Sequence, residues 1–131
     1  MVEASRFTFK KEERICSDKL LNELFSGKAA SLSSYPIHCV WMKVEDESCV
    51  PAVRVLVSVS KRKFKHAVDR NRVKRQMREA YRLGKHILTD VAEERGCKLV
   101  LAFVWIPAFK KRSDEVRLAM NSLLCKVAKS L

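Results

Sequence analysis

The chain has little of what makes flexible linkers: three glycines and three prolines in 131 residues. Long unstructured connections are therefore excluded, and a single domain spanning residues 1–131 is expected. No apolar run approaches the roughly eighteen residues of a membrane helix. The opening stretch MVEASRFTFKKEER lacks the apolar segment of a secretory signal, so none is expected. The five cysteines (Cys16, Cys39, Cys49, Cys97, Cys125) are odd in number and contain no Cys-x-x-Cys pair. That pattern argues against disulfides and zinc and for buried thiols in a reducing cytoplasm. His38, His66 and His86 lack metal-ligand spacing, and neither a His-Glu-x-x-His run nor a glycine-rich phosphate loop occurs. Asp46 and Glu47 stand beside Ser48 and are expected in a turn rather than on a metal. No metal site and no catalytic constellation is expected in the protein itself.

Acidic residues are also scarce. Fifteen Asp and Glu face 27 Lys and Arg, which leaves a net charge of +12. Such charge destabilises a compact domain by self-repulsion unless a polyanion relieves it. Nucleic acid is the first candidate partner. An anionic membrane is disfavoured, because the apolar residues it would need are the ones a core needs. Hydrophobic residues reach 47%, enough for such a core.

Periodicity supplies the elements. A first helix is expected from Ser17 as N-cap, with Leu20, Leu21, Leu24 and Phe25 on one side and Gly27 as its stop. KAASLSSYP reads as a loop, IHCVWMKV as a strand and EDES as an acidic turn. In AVRVLVSVS, Val53, Val55, Val57 and Val59 share one face, while Arg54, Leu56, Ser58 and Ser60 share the other. KLVLAFVWI is apolar on both faces and is expected at the sheet centre, with Phe103 and Trp105 in the core rather than stacking on a ligand. A long helix is expected from Asp69 to Arg95, stopped by Gly96, and a last one from Ser113 with Val116, Met120, Leu123 and Val127 as its buried stripe. The order α, β, β, α, β, α describes an α+β sandwich, a mixed sheet covered by helices on one side.

The long helix carries the charge. At about 100° per residue, Val73, Met77, Ala80, Tyr81, Gly84 and Leu88 gather in a core arc. Asn71, Lys74, Arg75, Arg78 and Arg82 gather in the adjoining arc, with Arg72 further round and Arg70 beside the basic loop KRKFKH. The lone acid among them, Glu79, is placed to pair with Arg75 at i,i+4. Arg70 with Lys74, Lys74 with Arg78, and Arg78 with Arg82 are like-charge i,i+4 pairs, repulsive by a few tenths of a kcal/mol each. A bound polyanion reverses that sign, and arginine suits phosphate and base stacking. Spacing alone does not separate RNA from DNA.

The segment SVSKRKFKHAVDRNRVKRQMREAYR resembles the hallmark segment of the bacterial ribonuclease P protein subunit. A strand ends in Ser60-Lys61, a basic loop follows, and then come Arg70-Asn71-Arg72, Val73, Lys74-Arg75 and Arg78. The match is most specific over residues 53 to 82, and length and element order agree over nearly the whole chain. The resemblance implies an α-β-β-β-α-β-α sandwich, also seen in a ribosomal-protein domain, with a mixed central sheet and a left-handed βαβ crossover. One short strand beyond the three read above is implied. So is a role as accessory subunit of a ribonucleoprotein endonuclease that removes the 5′ leader of precursor tRNA. Catalysis would belong to the RNA subunit with Mg²⁺, in a one-to-one protein–RNA holoenzyme needing no protein partner and no membrane.

By the same resemblance, Arg70, Asn71, Arg72, Lys74, Arg75 and Arg78 would face the catalytic RNA. A cleft between the first helix and the sheet would take the leader, with Leu20, Leu24, Trp41, Arg54, Ser58 and Lys61 as its candidate residues. Leu20 and Leu24 fall where many members carry aromatics, and leucine does not stack on bases. The basic loop has no glycine, whereas many members have one. Two rival readings remain: a ribosomal or chaperone-like RNA-binding protein, and a DNA-binding protein using the long helix in a groove. The second is disfavoured by apolar residues close to the basic arc and the absence of a partner helix for a helix-turn-helix.

Overall fold

The computed structural model describes residues 29–44 and 53–131. Strands β1 (Ala30–Ser34), β2 (Ile37–Val44) and β3 (Val53–Ser58) come first. They are followed by helices α1 (Ala67–Gly84) and α2 (His86–Glu94), strand β4 (Lys98–Trp105) and helix α3 (Ser113–Ser130). The expected first helix and the EDES turn lie outside the described residues. The four strands form one sheet in the order β1-β2-β4-β3. β1–β2 and β2–β4 are antiparallel, and β3–β4 is parallel. A parallel neighbour cannot be reached by a tight turn, and α1 and α2 supply the crossover. KLVLAFVWI is indeed central: β4 is paired on both sides.

Register divides the sheet into two faces. Trp41 and Val55 both pair with Leu101, and Cys39 and Val57 with Phe103. With Ile37, Val53, Val59, Leu99 and Trp105, these residues form the main core against the helices. Val116, Met120, Leu123 and Val127 are buried in it as the stripe predicts, joined by Ala119 and Leu124. Phe103 and Trp105 are core residues.

Two elements differ from expectation. KAASLSSYP is not all loop, because Ala30–Ser34 pairs with β2 as an edge strand. Its serines give no apolar alternation to read, and the pairing comes from the neighbouring strand, with Leu32 packing on the core. The long helix is two helices that meet at Lys85. Gly84 is a weak helix former, and it sits where a Cβ would collide with the Asn121 amide of α3. The expected stop holds: Gly96 has φ 65°. Its N–H donates to the Glu93 carbonyl at 3.2 Å and that of Cys97 to Ala92 at 2.8 Å, closing α2 in a Schellman motif.

Candidate nucleic-acid interface

The basic helix grows out of a loop that is itself anchored. After β3, the Lys63 N–H donates to the Ser60 carbonyl and the Arg62 N–H to Ser60 Oγ, both at 3.1 Å. Phe64 turns inward and is buried with the core, while Lys61, Arg62, Lys63 and Lys65 stay exposed around it. One apolar residue thus fixes a loop that carries four cations. Arg70 closes the loop onto the helix: its Nη1 donates to the carbonyls of Phe64 at 2.8 Å and Lys65 at 3.1 Å. Sequence reading placed Arg70 on the RNA side. In the structure this half-buried guanidinium also holds the loop in place.

The two arcs of α1 separate as the wheel requires. Val73, Met77, Ala80, Tyr81 and Gly84 are buried. Tyr81 packs on Phe103 with ring centroids 5.9 Å apart. Asn71, Arg72 and Arg75 are exposed, and Lys74, Arg78 and Arg82 are half-buried on the flank. Among the described residues no ion pair involves Arg72, Lys74 or Arg75. Glu79 does not pair with Arg75. It binds Arg82 at i,i+3, with Nε to Oε2 at 3.1 Å. The hydrogen bond from Arg82 holds the Glu79 carboxyl below the usual range and in turn raises the guanidinium. The single acid of the arc is therefore spent near the C-terminal end of α1, and Asp69 in the first turn is paired with Lys110, which leaves Arg72, Lys74 and Arg75 without an ion pair among the described residues.

The second candidate surface is the sheet face away from the described helices. Arg54 and Ser58 are both there, paired in register with Val100 and Val104. At its centre Val100 and Ala102 are fully buried, flanked by Val40, Met42, Val44 and Leu56. Leu20 and Leu24 lie outside the described residues. Lys61 is exposed just beyond the end of β3. Trp41 does not join this surface. Its register partner is Leu101, so it points to the helix-covered side, where it is 8% exposed. The alternation of β2 instead brings His38, Val40 and Met42 to the face of Arg54. The signal for them was present in the sequence: the period of two that placed Arg54 opposite Val55 applies equally to IHCVWMKV. His38 is oriented by a 2.7 Å contact between Nδ1 and Ser33 Oγ.

Among the described residues, no three His, Cys, Asp or Glu side chains converge as a metal site would require. No described helix is long and apolar enough to cross a membrane. Cys39, Cys97 and Cys125 are free thiols.

Comparison with known proteins identifies this architecture. The family model described as Ribonuclease P matches residues 9–126. The Ribonuclease P protein component of Porphyromonas gingivalis strain W83 is 37% identical over 128 residues, covering 98% of this chain and 92% of that protein. That of Chlorobaculum tepidum is 42% identical over 91 residues, 62% of this chain and 58% of that protein. Among solved structures, the RNase P protein of Staphylococcus aureus superposes with a TM-score of 0.68 at 19% identity, covering 89% of this chain and 95% of that one. The RNase P protein of Thermotoga maritima gives 0.65 at 20% identity, covering 87% and 96%. These two share the fold: a mixed four-stranded sheet with helices packed on it. With the family model spanning most of the sequence and a relative above one-third identity over nearly all of it, the chain belongs to the ribonuclease P protein family, the protein components of the ribonucleoprotein that processes tRNA.

Proposed function

We propose that this chain binds the catalytic RNA of ribonuclease P through α1 and its preceding loop, and the 5′ leader of precursor tRNA along the sheet face that carries Arg54 and Ser58. The observation that carries this reading is the one-signed arc of Arg72, Lys74 and Arg75, without an ion pair among the described residues, on a helix whose other side is locked into the core. Such an arc screens phosphate repulsion between two RNAs brought together. Arginine forks presented by a packed helix also favour one orientation of the RNA, because a planar guanidinium pairs bidentately with phosphate.

Leader binding follows from the second surface. Arg54 offers charge at the edge, Ser58 a hydroxyl, and Val40, Met42 and Leu56 an apolar floor. A segment held there adds binding energy for precursor over mature tRNA, which lacks the leader. That difference is what a processing enzyme needs in order to release its product. Hydrolysis in this reading belongs to the RNA with its Mg²⁺. No protein side chain among those described is assigned to the metal. One protein with one RNA suffices, and the reducing cytoplasm expected from the cysteines is the setting.

A ribosomal or chaperone-like role would share the fold but not the preference. The proposal is tested by measuring affinity for the cognate catalytic RNA, ribosomal RNA and duplex DNA at matched salt. Tightest binding to the catalytic RNA is expected. Equal affinity for all three would reduce α1 to a nonspecific polycation.

A further inference from the structure

One surface lies outside both the basic arc and the sheet face of Arg54 and Ser58. Tyr35, in the β1–β2 turn, and Phe109, in the loop between β4 and α3, are large apolar side chains exposed at 57% and 54%. They flank a single cation. Lys111 Nζ is 5.1 Å from the Tyr35 ring centroid and 5.2 Å from that of Phe109. Both distances lie within cation–π range.

The two rings stand on a fixed base. The Ile106 N–H donates to the Pro36 carbonyl at 2.9 Å and joins the two loops. The buried Trp105 indole N–H donates to the Phe109 carbonyl at 3.2 Å. Gln76 of α1 donates to the Lys111 carbonyl at 3.1 Å, and Lys110 pairs with Asp69 in the first turn of α1 at 2.9 Å. With the loops held in this way, only the side-chain torsions of the two rings are left to order when a ligand arrives.

Local charge narrows the chemistry. Lys110 faces Asp69 at 2.9 Å, Lys111 faces Glu115 at 3.7 Å and Arg112 faces Asp114 at 3.2 Å. The cations of the patch are matched by acids, so phosphate is not what it selects. It offers two aromatic rings around an ammonium group, which suits a flat π system. Arg72 lies one turn from Asp69 and one turn from Gln76, and so links the patch to the exposed side of α1. A protein partner would want a wider continuous apolar area. A nucleobase needs only the rings.

We propose that Tyr35 and Phe109, clamped about Lys111, form a stacking site for an unpaired base of the RNA that α1 binds. The inference rests on the RNA-binding reading above. It adds a contact that depends on π surface rather than on charge.

The two contributions separate in a salt series. Affinity of the full chain for its cognate catalytic RNA is measured for wild type, Tyr35→Ala, Phe109→Ala, Tyr35→Phe, Phe109→Tyr and Arg75→Ala, with melting curves to verify folding. Each alanine variant at the rings loses about 5- to 150-fold, the effect of removing one base–aromatic stack, with the salt slope unchanged. The aromatic exchanges retain wild-type affinity, and Arg75→Ala flattens the slope. The site is overturned if the alanine variants bind like wild type, if their slope falls, or if the aromatic exchanges lose as much as alanine. Failure of the wild type to bind the catalytic RNA overturns the functional reading instead.

Discussion

Arg70 and Arg75 belong to the same basic run, yet they stand in different environments. Arg70 has its Nη1 engaged by two loop carbonyls, whereas Arg75 is exposed with no ion pair among the described residues. Arg75→Ala and Arg72→Ala are therefore expected to weaken assembly with the catalytic RNA on the order of tenfold each, the effect of losing one charge-assisted hydrogen bond of about 1.5 kcal/mol. Lys129→Ala removes an exposed charge at the end of α3 and is expected to change little. Equal losses at all three positions in a binding titration would mean that charge count, not placement, governs affinity. The thiols make an independent check on the packing. Burial pushes Cys39 from an ordinary 9.0 up to about 12, whereas Cys125 is exposed. In the folded protein iodoacetamide at pH 8 labels Cys125 well before Cys39, as peptide mass mapping will show. A thiol raised by folding stabilises fully below its unfolded value. That contribution is lost as pH climbs from 9.0 towards about 12.

At the scale of elements, α1 has a buried face and a basic face; the proposed function gives them two jobs, which mutation would separate. Met77 is fully buried, so Met77→Ala costs about 2–5 kcal/mol of stability, read as a lower melting temperature. Affinity per folded molecule is unchanged. Arg75→Ala does the reverse. A Met77 variant that melts normally would mean the helix does not pack as described. The division between arcs was readable from spacing alone, because a helix places residues at a fixed angle and every core-arc position from Val73 to Leu88 is buried. The valines of β3 and the stripe of α3 were legible for the same reason. Strand β1 was not, since an edge strand rich in serine draws its pairing from β2 rather than from its own pattern. The break at Lys85 depends on how closely α3 approaches Gly84, and sequence periodicity carries no such distance. Trp41 was placed by resemblance near the leader. The register with Leu101 assigns it to the core instead, and period-two counting along β2 would have found His38, Val40 and Met42.

For the whole molecule, a net charge of +12 sets the physics of association. Each phosphate contact releases counterions, so the logarithm of affinity for RNA falls linearly with the logarithm of salt, with a slope of about −0.7 to −0.9 per contact. A flat salt response of the wild type would remove the electrostatic basis of the proposal. On the proposed reading, the same charge would lower the Mg²⁺ needed to hold folded RNA and substrate together, because protein cations would replace part of the metal's screening. The most direct measurement of the central claim is therefore leader removal from precursor tRNA by the cognate catalytic RNA at low Mg²⁺, with and without this protein. The account predicts that adding the protein strongly accelerates cleavage at the mature 5′ end, and that the gain shrinks as Mg²⁺ is raised. No acceleration at any Mg²⁺ concentration, with the protein folded and the RNA active at high Mg²⁺, would contradict it.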